Sequence, residues 1–149
     1  MERREVIMFI AFVFIIIIAA FIIFSVLRKQ PDINLTESEL GEINSISEEI
    51  LQAINSGDYP AFSAHFSPIM KEALNESSFQ NTRELILDSS GQYVSNPNPR
   101  ITSDSGYVIF VYDSQFEKEI VQMRITFLEG SDVVEGLWFD SVNLRRSLT

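Results

Sequence analysis

The chain has no cysteine, a single histidine, a single tryptophan, and eleven Lys or Arg against 21 Asp or Glu in 149 residues. Without cysteine there are no disulfides, no thiolate metal ligands, no cysteine nucleophile and no thiol to carry a lipid anchor. The shortage of positive charge removes another class. Beyond residue 29, seven Lys or Arg stand against nineteen Asp or Glu, a formal −12, whereas gripping phosphates or anionic headgroups requires clustered basic side chains. Nucleic acid is therefore not an expected partner, and the acidity reads as a soluble, self-repelling surface. The six glycines form no phosphate-cradling loop, no serine sits in a nucleophile elbow, and no carboxylates stand at calcium-loop spacing. No cofactor or metal is expected, and no catalytic residue declares itself. Neither an internal repeat nor a low-complexity tract occurs.

What the chain does have is a long apolar run. Residues 6–27, VIMFIAFVFIIIIAAFIIFSVL, open on Val6, close on Leu27 and contain no charge, no Pro, no Gly and one polar residue, Ser25. At about 1.5 Å rise per residue the run reaches roughly 33 Å as a helix, enough to cross the hydrocarbon of a bilayer with a modest tilt. A signal peptide would have an apolar core of about 7–15 residues and a small-residue cleavage site. Here the sequence continues VLRKQPD, so an uncleaved single-pass anchor is expected. A buried core helix fails because a domain this small cannot surround five Phe and eight Ile on every face of one helix. Arg3 and Arg4 before the run balance Arg28 and Lys29 after it, a tie under the positive-inside rule. With the α-amine adding weight, the reading favours a cytoplasmic N-terminus and a C-terminal domain outside the cell membrane. The sequons at Asn34 and Asn75 would be usable only in that orientation.

The expected organisation is an N-terminal stub and membrane helix at 1–29, a linker at 30–36 and one domain at 37–149. Thr36 and Glu39 form a capping-box pattern, and Leu40, Ile43, Ile46, Ile50, Leu51 and Ile54 recur at spacings of three and four, which predicts an amphipathic helix stopping near Asn55 and Gly57. Its wet face carries Glu37, Glu39, Glu42, Glu48 and Glu49. Asp58 and Pro60 start a short helix with Phe62 and Phe66 on one side. Ser67-Pro68 restarts the pattern through Leu74, and Asn75 caps a further helix that Gly91 closes.

The period then changes. Residues 107–112, YVIFVY, and the alternation of Val121, Met123, Ile125 and Phe127 with polar neighbours read as strands, and residues 133–142 offer another. Pro97 and Pro99 demote the stretch before Ile101 to a loop or an edge. Helices first and an antiparallel meander afterwards make an α+β domain, with about three helices on a sheet of about four strands.

The run Ile54-Asn55-Ser56-Gly57-Asp58-Tyr59, followed by Phe62, Phe66 and Met70-Lys71-Glu72-Ala73-Leu74, resembles the first half of the domain-of-unknown-function family 3887. Gly91-Gln92-Tyr93-Val94-Ser95, the two strands, Phe116-Glu117 and Gly136-Leu137-Trp138-Phe139 resemble its second half. The resemblance covers residues 39–143 and implies a nuclear-transport-factor-2-like (cystatin-like) cone, helices packed into a strongly curved antiparallel sheet. It also implies export or anchoring at a membrane. It implies no activity, and this chain lacks both the lipidated cysteine and the α/β-hydrolase domain of some relatives.

Such a cone becomes an acid–base enzyme, of isomerase or dehydratase type, when a pocket carboxylate stands beside a Tyr or a second acid. Candidates by residue type are Asp113, Asp140, Tyr93, Tyr107, Tyr112 and His65; the two Asp fall at strand ends, and His65 has no second ligand spaced around it. The favoured reading is a non-enzymatic domain that binds a peptide, a small apolar ligand or a partner protein, with a homodimer or an accessory subunit of a membrane complex as further expectations. Phe62, Phe66, Tyr107, Tyr112 and Trp138 are the candidate pocket-lining residues, with core packing favoured for Trp138.

Overall fold

The computed structural model describes residues 35–147; the apolar run at 6–27 and the Asn34 sequon lie outside them. Among the described residues no helix is long and apolar enough to cross a membrane.

Helix α1 (Glu37–Ser56) begins where the capping box demands. The Thr36 hydroxyl accepts the Glu39 N–H at 3.2 Å, and Glu39 Oε2 accepts the Thr36 N–H at 2.8 Å. This charged acceptance holds the Glu39 carboxyl below its ordinary range. The helix ends at Gly57, whose φ of +80° is open to a residue without Cβ. Arg83 covers the exposed C-terminal carbonyls, its Nε donating to Ile54 O at 2.8 Å and its Nη2 to Asn55 O at 3.0 Å. Ile43, Ile46, Ile50, Leu51 and Ile54 are all buried, the apolar stripe read from the spacing.

Three further helices follow, α2 (Tyr59–Phe62), α3 (Pro68–Ala73) and α4 (Glu76–Ser90), each opened by a side-chain cap from Asp58, Ser67 and Asn75 in turn. One detail differs from expectation. Helix α2 stops at Phe62 instead of running on to Phe66, and after a turn Phe66 forms a parallel bridge to Val134. The two rings still meet edge to face with centroids 5.0 Å apart.

The sheet is antiparallel and has five strands, β1 (Tyr93–Ser95), β2 (Arg100–Asp104), β3 (Tyr107–Phe116), β4 (Ile120–Leu128) and β5 (Val134–Asp140). Both β1 and β2 pair with the same side of β3, one after the other, with Pro97 and Pro99 in the gap between them. Period-two alternation turns Val108, Phe110, Tyr112 and Phe116 of β3 and Val121, Met123, Ile125 and Phe127 of β4 into the core. Helix α1 is tied to this face by polar groups as well: the Asn55 amide exchanges two hydrogen bonds of 2.9 Å with the backbone of Tyr93. The α+β class stands, with five strands rather than four and five helices rather than three among the described residues. The strand expected within 133–142 is present but shorter, Val134–Asp140, because Ser141 leaves the sheet and its hydroxyl accepts the Leu144 N–H at 3.1 Å, opening a fifth helix, α5 (Val142–Ser147).

Candidate functional site

Strand β5 is the last strand of the sheet, and its inward side chains are only half covered. Leu137 and Phe139 face the core side, in register with Ile125 and Met123, yet neither is fully buried. Helices α4 and α5 approach without closing over them. What remains is an apolar groove of about 250 Å³, bounded by Phe62, Leu85, Leu137, Trp138, Phe139 and Leu144. Trp138 alternates to the other side of the strand and is 62% exposed, so the preference for a core indole gives way to a surface one. The indole also borders a shallow depression on the outer face with Val111, Arg124 and Gly136.

The edge of β5 that points away from β4 carries a second feature. At Val134 it is engaged by the chain itself: the Val134 N–H donates to His65 O at 2.8 Å, and Val134 O accepts the Ser67 N–H at 3.0 Å. Pro68 then starts α3 and ends the pairing. From Glu135 to Asp140 no backbone partner occupies this edge among the described residues.

Of the candidate pocket residues, Phe62 and Trp138 both line the groove. Phe66 is buried beside Phe62, Tyr112 is buried under α1, and Tyr107 is exposed at the start of β3. The groove residues that the sequence reading did not single out, Leu137, Phe139, Leu85 and Leu144, carry no pattern distinguishing groove from core.

The acid–base candidates go elsewhere. Asp113 lies at the surface, 3.1 Å from Arg100 and 3.2 Å from Gln122, and Asp140 pairs with Arg145 at 3.2 Å. Exposed pairs of this kind contribute at most about 1 kcal/mol. Asp113→Asn and Asp140→Asn are therefore each expected to change unfolding free energy by less than about 1 kcal/mol in urea melts; a larger loss would reveal a role that the surface geometry hides. Tyr112 donates to Asn44 Oδ1 at 2.8 Å, and burial pushes its phenol up to about 12, against the Ser47 hydroxyl beside it. Tyr93 donates to Glu48, and burial together with that bond and charge raises it further. Both phenols are committed to protein acceptors. His65 stands 3.5 Å from Glu49 with both side chains partly exposed, and no cluster of metal-ligating side chains occurs among the described residues.

Glu119, which the sequence reading passed over, fixes one wall of the groove. Burial works to raise its carboxyl, but the Ser90 and Ser141 hydroxyls, donating at 2.6 and 2.7 Å, and the N–H groups of Asn143 and Val142 outweigh it and hold it below the ordinary range. One carboxylate in the β3–β4 turn thus joins the end of α4 to the start of α5, and α5 supplies Leu144 to the groove.

A family model described as "Protein of unknown function (DUF3887)" matches residues 47–135. No curated protein and no solved structure matches the chain. The matched stretch runs from within α1 to the start of β5, so Leu137, Trp138, Phe139 and α5 lie just past it.

Proposed function

Because the chain belongs to this family of unknown function, we propose from its geometry that it is a non-enzymatic binding domain, held at the cell membrane by residues 6–27, that takes an extended apolar peptide along β5. The observation that carries this reading is the coincidence of a free strand edge with an apolar groove. A peptide added to that edge gains backbone hydrogen bonds from β5 and inserts alternate side chains beside Leu137 and Phe139. The chain's own His65 and Ser67 already use the edge in this way at Val134, which marks the line a guest strand would extend.

A nuclear-transport-factor-2-like cone is part of the same proposal. It is supported by the helix-then-sheet order and by the register shifts between Tyr93 and Ser95 and between Thr126 and Phe127, since irregularities of this kind bend a sheet. The external orientation of the domain rests on the α-amine beside Arg3 and Arg4, which tips an otherwise even charge balance around residues 6–27, and on the export that the family resemblance implies.

Trp138 is the only tryptophan, so its fluorescence reports the surroundings of β5, and the paired peptides below separate strand addition from contact with the outer face. Titrating the full-length chain with an alternating Val/Thr heptapeptide bearing a central Phe is expected to shift its emission to the blue. The same peptide N-methylated on alternate amides, which keeps the side chains and removes the donors, is expected to bind at least about tenfold more weakly, the loss of roughly 1.4 kcal/mol that a hydrogen bond or two supplies. Equal responses to the two peptides, or no response, would overturn the reading. Trp138→Ala is expected to change stability by no more than about 0.5 kcal/mol, as for an exposed side chain, and to weaken the peptide about tenfold, as for an interface aromatic; the peptide's own labelled Phe reports binding to that variant.

A further inference from the structure

Asn75 opens α4 with one end of its amide and leaves the other end to solvent. Its Oδ1 accepts the Ser78 N–H at 3.1 Å as the helix cap. That bond turns Nδ2 away from the helix, and Nδ2 makes no hydrogen bond among the described residues. The backbone at Asn75 is extended, with φ −67° and ψ 172°, and Asn75, Glu76 and Ser77 are all exposed. Other asparagine amides are spent inside the fold. Asn44 accepts from Tyr112 and Asn96 from Ser114, the Asn55 amide is exchanged with the Tyr93 backbone, and Asn143 donates to Ser89 O. None of these four is followed two residues later by Ser or Thr. Asn75 is, with Glu76 between it and Ser77, so the acceptor triplet falls on an asparagine whose nitrogen the fold does not use.

A capping asparagine tolerates a substituent on its nitrogen, because the cap is made by the oxygen. We propose that Asn75 is an N-glycosylation site, taking an oligosaccharide from a polyprenyl-phosphate-linked donor on the outer side of the membrane. In the transfer the bond from Nδ2 to the sugar C1 forms as the bond from C1 to the lipid phosphate oxygen breaks. Nδ2 gives one proton to the transferase, and the lipid phosphate leaves. Nδ2 keeps its other hydrogen and Oδ1 keeps its lone pairs, so the Ser78 N–H retains its acceptor and the helix start is undisturbed. Asn75 directly follows Leu74, which borders the β5 groove, so the sugar stands as a hydrated neighbour to the apolar floor that α4 and α5 leave half covered. The site rests on the external placement of the domain proposed above and is independent of peptide binding.

The full-length chain with a protease-sensitive C-terminal tag is purified from the membranes of the cells that naturally produce it. Intact mass, peptide mapping and cleavage of the tag in unbroken cells are read on the same material. The expected result is a chain heavier than its sequence by whole sugars, with those sugars on the peptide that contains Asn75 and the tag open to external protease. Ser77→Ala removes the hydroxyl that completes the triplet and leaves the capping amide in place. It is expected to return the mass to that of the bare chain with an unchanged far-ultraviolet circular dichroism spectrum. Asn75→Ser, a residue that caps as well as Asn, is expected to do the same. A bare Asn75 in a chain whose tag is outside would overturn the site alone. A bare Asn75 with the tag protected would overturn the external placement and the site with it. Sugars that persist in Ser77→Ala, or that map only to Asn34, would also overturn the assignment.

Discussion

Phe62→Ala is expected to lower the unfolding free energy by about 4 kcal/mol, within the 3–5 kcal/mol range for removing a buried phenyl ring. The side chain is 2% exposed, and its ring lies 4.5 Å from that of Phe79 and 5.0 Å from that of Phe66. It therefore joins α2 to α4 and to the bridge that Phe66 makes with Val134 of β5. Truncation removes the transfer energy of the ring and the aromatic contacts, which contribute about 0.5–1.5 kcal/mol each beyond area. The neighbouring groove gives the site some room to collapse, so the value belongs in the middle of the range. Guanidinium melts should move in midpoint with little change in slope. A loss under about 1.5 kcal/mol would mean that Leu85 and Phe139 close over the gap, and the groove would then be a soft feature instead of a standing one.

Glu119→Gln is expected to lose about 2 kcal/mol at neutral pH. The amide keeps one acceptor oxygen but forfeits the charge that strengthens the bonds from Ser90 and Ser141, whose side chains are buried. Both hydroxyls bond Oε1, which the amide retains, so the loss is the charge assistance of hydrogen bonds that contribute about 1.5–3 kcal/mol, together with the replacement by an NH2 of the Oε2 that accepts the Asn143 N–H. The pH dependence has a definite sign. Because the folded carboxyl is held below its unfolded value, its contribution is complete above the unfolded pKa of about 4.3 and disappears as pH falls through the folded value. The gap between the unaltered chain and Glu119→Gln should stay constant from pH 7 to about pH 5 and shrink below about pH 4. Melts of both proteins across that range check it, and a gap still undiminished at about pH 3 would show that shape, not charge, holds the clamp.

Local signals carried most of the fold. Thr36 with Glu39, Asp58, Ser67 and Asn75 each open a helix through a hydrogen bond reaching only three residues ahead, so a linear reading finds them. Gly57 and Gly91 close helices for an equally local reason, the positive φ of 80° at each. The alternation in β3 and β4 is likewise written in neighbouring residues. Strand β5 was ambiguous because Leu137, Trp138 and Phe139 are three apolar residues in a row. Either parity puts apolar groups inward, and the choice is made by the register shift beside Thr126 and Phe127, since a slip of one residue exchanges the faces of a strand. Glu119 was invisible for another reason. Its partners Ser90 and Ser141 are 29 and 22 residues away, and a carboxylate in a turn looks solvated until the chain has folded around it.

The two edges of the sheet are unlike, and this bears on self-assembly. On the β1 and β2 side the border is broken into strands of three and five residues with Pro97 and Pro99 between them, and short, proline-interrupted borders resist further pairing. On the β5 side the border is open beyond Val134. End-to-end growth requires each copy to offer two compatible borders, one to receive and one to donate. This sheet offers one. Two copies can meet border to border and close as a symmetric pair, but a third finds nothing to join, so an acidic domain with an exposed strand is kept from polymerising by the prolines at its opposite end.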